Sequence, residues 1–187
     1  MEDDIYVSTE LRTPERAEFM NTIANVEILM NAALASCTRE LYQIRSLAIE
    51  LLQEGNFLYQ WHNNIKLWPS AFSAIQAIVN RSTPSHCDSG ASGPVFDLLV
   101  SVGTHTEAFI SLGDVQARLS YNPGTVVLVC GRVLRHEVPT WEEGERICIA
   151  HYMCDNVHER LGLKRPDWVA IDSYTIMSPG FLLTHKL

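Results

Sequence analysis

The chain has 187 residues, 47% of them hydrophobic and 19% charged, a balance ordinary for a globular protein with a full core. Its formal charge of −8 argues against a protein that holds nucleic acid mainly through a basic surface, because phosphate neutralisation by Lys and Arg dominates such affinity. No run of eighteen or more apolar residues exists, and the acidic start MEDDIYVSTE is unlike a signal peptide, so the expectation is a soluble intracellular chain with no membrane partner.

The acidity is uneven. Residues 1–60 carry ten acids against four bases and residues 61–187 twelve against ten, which leaves room for a local basic groove in the second part. Five cysteines (Cys37, Cys87, Cys130, Cys148 and Cys154) lack the short regular spacing of a secreted scaffold, and no disulfide is expected.

From Thr13 to Glu54 the sequence predicts helices. TPERAEFMNTIANVEILMNAALA offers Thr13 as a cap, Pro14 at the first helical position, acids in the first turn and apolar residues at helical spacing. TRELYQIRSLAIELLQEG places Leu41, Ile44, Leu47, Ala48, Leu51 and Leu52 on one broad face and ends on Gly55. Residues 1–60 therefore read as a helical buttress for a core domain over residues 61–187. WPSAFSAIQAIVN (68–80) fits a short helix or a buried strand equally well.

After Pro84 the texture changes. PVFDLLVSVG, TEAFISLG, VQARLSYNPG, TVVLVCG, VLRHEV and RICIAHYM are short β-rich runs separated by turn residues, the pattern of a barrel or a double-sheet jelly roll. With the leading helices the fold class is α+β. The segment from Asn156, NVHERLGL, reads as one or two helical turns, followed by KRPDWV and an irregular end.

The chemistry centres on NRSTPSHCDSG, residues 80–90. On a strand, His86 and Asp88 share a face while Cys87 turns away, so an imidazole and a carboxylate can meet at one metal. A second histidine completes the two-His-one-carboxylate triad of non-haem Fe(II), which leaves other positions open; His136, fifty residues on, is the candidate. Enzymes that pair this iron with 2-oxoglutarate also need a planar cation for the distal carboxylate of that cosubstrate. Arg146, ten residues after His136 and across the WEEGE turn, is placed to supply it. HxD alone is a weak signal, and the ordered set of HxD, His and Arg is a more specific one. CIAHYMCDNVH offers a rival zinc set of Cys148, His151, Cys154 and His158, but strand parity puts His151 opposite the two cysteines.

Residues 68–168 resemble the TET/JBP family of Fe(II)/2-oxoglutarate dioxygenases, in particular its fungal type. The resemblance lies in NRSTPSHCD, FDLLVSVG, YNPGTVVLVCGRVLRHEV, ERICIAHYMCDNVHERLG and PDWV. It implies a double-stranded β-helix core with the N-terminal helices packed on it. It implies Fe(II) and 2-oxoglutarate as cofactor and cosubstrate, consumption of O₂, and oxidation of the methyl of 5-methylcytosine or thymine in DNA. It also implies a nuclear location; no obligate protein partner is evident.

Residue by residue, His86, Asp88 and His136 match the family's metal ligands, Arg146 its 2-oxoglutarate anchor, and Arg81 an arginine near the cosubstrate's other carboxylate. Parity sends Ala150 and Tyr152 inward with Arg146, and Tyr152 matches an aromatic that stacks on the flipped-out base. Asp155 either reads a base amino group or caps the NVHERLG helix. The chain departs from the family in reading HCD for the usual HRD and HEV for HGV. Two other readings stand beside this one: an oxygenase of a protein side chain or small molecule, and a diverged inactive copy.

Overall fold

The computed structural model describes residues 7–55, 65–91 and 93–168. Helix α1 (Arg16–Cys37) and helix α2 (Arg39–Glu54) meet at Thr38, whose N–H donates to the Leu34 carbonyl at 2.8 Å while its own carbonyl accepts from Tyr42 at 3.0 Å. One residue thus closes one helix and opens the next.

The starts and faces of these helices differ from the sequence reading. Helix α1 begins at Arg16 with Glu15 in the cap position; Thr13 lies one turn earlier, where its carbonyl accepts from the Arg16 N–H at 3.3 Å. Gly55 does end α2. The buried face of α2 is Leu41, Arg45, Ala48, Ile49 and Leu52, whereas Leu47, expected inside, is 44% exposed. Arg45 enters the core because Asp97 and the Phe96 carbonyl wait for it there, partners that helical periodicity does not report.

Among the described residues eight strands follow: β1 (Ala74–Val79), β2 (Thr83–His86), β3 (Asp97–Gly103), β4 (Phe109–Leu112), β5 (Ala117–Ser120), β6 (Val126–Val129), β7 (His136–Val138) and β8 (Arg146–Tyr152). They form two four-stranded antiparallel sheets, ordered β1-β8-β3-β6 and β2-β7-β4-β5, in a double-stranded β-helix arrangement. The ambiguous 68–80 segment resolves as an edge strand over 74–79, paired on one side with β8. GRVLRHEV is strand only at its end. Gly131–Leu134 is a turn, in which the Val133 and Leu134 N–H groups both donate to the Cys130 carbonyl. A short helix, α3 (Asp155–Arg160), follows β8 as expected.

Strand β8 lies between two of the three core clusters among the described residues. Cys148 packs between the sheets with Ala108, Ile110, Tyr121 and Val138. On the opposite face Ile149 packs against a cluster holding Met30 and Leu34 of α1, Leu41 of α2, Phe72, Leu98 and Val100. Truncating a fully buried leucine such as Leu98 there would cost roughly 2–5 kcal/mol. A polar pin crosses the same layer, where Glu27 Oε1 of α1 lies 2.8 Å from His151 Nε2. The helices therefore fix the outer face of the sheet whose inner face carries Arg146.

Candidate metal centre

His86 and His136 are direct partners across β2 and β7. Their ring centroids stand 4.4 Å apart. His86 Nδ1 is 2.8 Å from the Pro84 carbonyl and His136 Nδ1 is 3.0 Å from the Leu134 carbonyl. A carbonyl can only accept, so each Nδ1 carries a proton, and in the neutral ring each Nε2 then holds the lone pair. Both Nε2 atoms face Asp88, at 3.3 Å from Oδ1 for His86 and 3.8 Å from Oδ2 for His136. The ligand atoms of the three residues lie within 4.8 Å of one another, the one such group of His, Cys, Asp or Glu among the described residues.

The convergence has a different local cause from the one expected. Strand β2 ends at His86, so Asp88 is placed by its loop rather than by strand parity. Its N–H donates to the Gly131 carbonyl at 2.9 Å. A Cβ on Gly131 would stand 1.9 Å from Asp88 Oδ2, so only glycine leaves the carboxylate its place. Beside it, Arg132 Nη1 donates to the Ser89 carbonyl at 3.0 Å. Gly131 was missed in the sequence, although a glycine at the turn between β6 and the second histidine is a signal of close approach.

Arg146 opens β8 and is 1% exposed. Its Nη1 donates to the Arg81 carbonyl at 2.7 Å, and its guanidinium carbon lies 5.7 Å from the Tyr121 ring and 5.8 Å from the Trp141 ring. Its Nε is buried without a partner, and among the described residues no carboxylate pairs with it. The nearest acidic protons stay on their atoms. Tyr121 hydroxyl contacts Cys148 Sγ at 3.3 Å, and burial pushes both groups above their ordinary ranges. A buried cation with neutral neighbours is a receptor for an anionic group.

The remaining residues are distributed as follows. Arg81 reaches Arg146 through its main-chain carbonyl, and its own side chain is exposed. Ala150 and Tyr152 lie on the same face of β8 as Arg146 and Cys148, both half-buried, with Tyr152 opposite Ala74. Burial, then Cys154 and Asp97, hold the Tyr152 hydroxyl above its usual range. Asp155 is not the cap of α3; Cys154 holds that position, and the Asp155 carboxylate is taken by Arg165 Nε.

The zinc alternative does not assemble. Cys148 points between the sheets toward Tyr121, while His151 points to α1 and bonds Glu27. His158 is buried with no partner on either nitrogen among the described residues, and burial first, then Arg45 and Arg165, lowers its pKa to about 4. Arg45 itself sits 3.7 Å from Asp97. Desolvation lowers Arg45 to about 10 and raises Asp97 to about 6, each against the attraction of the other.

A family model for the Tet_JBP oxygenase domain of the 2OGFeDO superfamily matches residues 7–155. No curated protein matches the chain. Among solved structures, the chain is similar to NgTET1 in complex with 5mC DNA, with a TM-score of 0.60 and 16% identity over 92% of this chain. The chain spans 62% of the length of that relative, and at this identity the likeness concerns the fold.

Proposed function

The chain belongs to the Tet_JBP family of oxygenase domains in the 2OGFeDO superfamily, and on that premise we propose that it oxidises the methyl group of a modified base, 5-methylcytosine or thymine, in DNA. The observation that carries the reading is the convergence of His86, Asp88 and His136, whose ligand atoms lie within 4.8 Å of one another with both Nε2 atoms beside the Asp88 carboxylate. Two imidazoles and one carboxylate, with no fourth protein ligand among the described residues, suit Fe(II), whose facial triad leaves positions for exchangeable partners. When bound, this iron supplies the oxidising power for an unreactive C–H bond, with O₂ as oxidant and 2-oxoglutarate decarboxylated to succinate.

The chain's own residues supply position and exclusion of water. Arg146 takes the distal carboxylate of 2-oxoglutarate, and its orphaned Nε supports that role. Tyr121 and Trp141 wall the guanidinium from solvent, which strengthens the charge-assisted bonds made there. Arg81 offers its exposed guanidinium toward the cosubstrate's other end. Tyr152 presents a ring face to a base extruded from the duplex, with the small Ala150 beside it on the strand. The Asp155 carboxylate is engaged by Arg165 and so is not left free for a base.

A nucleic-acid substrate is supported by local charge. Arg81, Arg132 and Arg135 are exposed within a few residues of the triad, a basic rim on a chain whose net charge is −8. The fold relative solved with 5mC DNA points the same way, and such a substrate implies work in the nucleus.

The test is incubation with methylated duplex DNA, Fe(II), 2-oxoglutarate and O₂, with the nucleosides read by mass spectrometry. Hydroxymethylated base from the wild type and none from His136→Ala is the expected result. Succinate formation without any change in the DNA would move the substrate to a protein or small molecule, and no 2-oxoglutarate binding at all would favour an inactive copy.

A further inference from the structure

We infer that Asn80 is a positioning residue for Arg146, setting the backbone from which the guanidinium reaches its anionic partner; this rests on the reading that Arg146 binds 2-oxoglutarate. Asn80 follows β1 with φ of +48°, the left-handed region in which asparagine is several-fold enriched over other non-glycine residues. Register pairs Val79 with Ile147, so Asn80 falls opposite Arg146. Its N–H donates to the Arg146 carbonyl at 2.8 Å, which continues the ladder. Its Oδ1 accepts from the Arg146 N–H at 2.9 Å, standing where the carbonyl of a continuing strand would be. Both main-chain polar groups of Arg146 are therefore held by one residue.

The left-handed turn has a second effect. It redirects the chain so that the next carbonyl, that of Arg81, accepts from Arg146 Nη1 at 2.7 Å. The same segment then runs into β2 and delivers His86 to the metal centre. On the other side of β8, Arg146 faces Gly103, where φ is +118° and a Cβ would stand 2.1 Å from the Glu145 carbonyl oxygen. The start of β8 is thus gripped from both neighbouring strands, and the side-chain amide of Asn80 is the grip that sequence can remove without touching the cosubstrate or a metal ligand.

The experiment is an anaerobic titration of the full chain with Fe(II) alone, then with 2-oxoglutarate, followed by the visible charge-transfer band. Asn80→Ala should weaken 2-oxoglutarate binding by about tenfold, the scale of one part-buried hydrogen bond with its orphaned donor, and leave Fe(II) affinity within about twofold. Asn80→Asp keeps the acceptor and tolerates the left-handed backbone, so it should recover most of the loss. Asn80→Gly keeps only the backbone freedom and should stay weak; this variant decides the matter if Asn80→Ala does not fold. Wild-type 2-oxoglutarate affinity in both Asn80→Ala and Asn80→Gly, with loss in Arg146→Met, would overturn this inference alone. Unchanged affinity in Arg146→Met would overturn the parent reading and this inference with it.

Discussion

His86 and His136 face each other across β2 and β7 with each Nδ1 bound to the carbonyl two residues upstream, so the two rings present the same nitrogen to Asp88. The backbone chooses the tautomer before any metal arrives. An outer partner of this kind is typically worth about 10–100-fold in metal affinity, and the ligand itself is worth more. His136→Ala should therefore lose Fe(II) binding by at least that factor while keeping a cooperative thermal transition, measured by metal titration beside circular dichroism. Wild-type metal affinity in this variant would remove His136 from the centre.

Gly131→Ala tests the loop that places Asp88. The added methyl falls 1.9 Å from Asp88 Oδ2, so the carboxylate must move or the turn must open. Overpacking of this kind costs typically about 1–3 kcal/mol of stability. The expected pair of results is a lower melting temperature and a metal affinity reduced at least tenfold, on the scale of a lost outer partner. Intact metal affinity would mean that Asp88 is held by something other than this contact.

His158 and Asp97 give the chain opposing pH dependences. The His158 pKa is lowered from 6.5 to about 4 on folding, so its contribution to stability is present above pH 6.5 and is lost as pH falls toward 4. The Asp97 pKa is raised to about 6, so the folded state favours the protonated acid and this group's contribution falls as pH rises from about 4 to 6. His158→Gln should leave a chain whose denaturant stability declines more plainly with rising pH across that window, and Asp97→Asn one that loses stability more steeply on acidification. Identical pH profiles in wild type and both variants would contradict these assignments.

Glu27→Ala removes the pin between α1 and β8. His151, fully buried and already without a partner on Nδ1 among the described residues, would then have none there on either nitrogen. Leaving such a group unsatisfied costs roughly 1–3 kcal/mol, read as a drop in urea midpoint. Amide exchange should accelerate first along β8. A midpoint within error of wild type would show that α1 is held by its apolar contacts alone.

If DNA is the substrate, Arg132→Ala and Arg135→Ala should each weaken binding across sequences and reduce the slope of log affinity against log salt by about one. Filter or fluorescence binding from low to moderate salt reads this directly. Slopes equal to wild type would exclude these arginines as phosphate contacts.

The sequence by itself carried the helical stretch up to Glu54, most of the β runs after Pro84 and the residue types of the candidate centre. The helical spacing over 16–54, the turn-punctuated β runs after Pro84, and the ordered His86, Asp88, His136 and Arg146 are all carried by local periodicity and spacing. Only tertiary structure decided what holds them. Arg45 replaces Leu47 in the core because Asp97 lies there; Asp88 is aimed by Gly131; Arg146 is gripped by Asn80, 66 residues earlier; and His151 is bonded to Glu27, 124 residues earlier. Periodicity reports which face of an element is apolar, because neighbours along the chain share that face. It carries no record of which distant donor meets which acceptor, since a hydrogen bond depends on ångström-scale placement that exists only once the sheets and helices have packed.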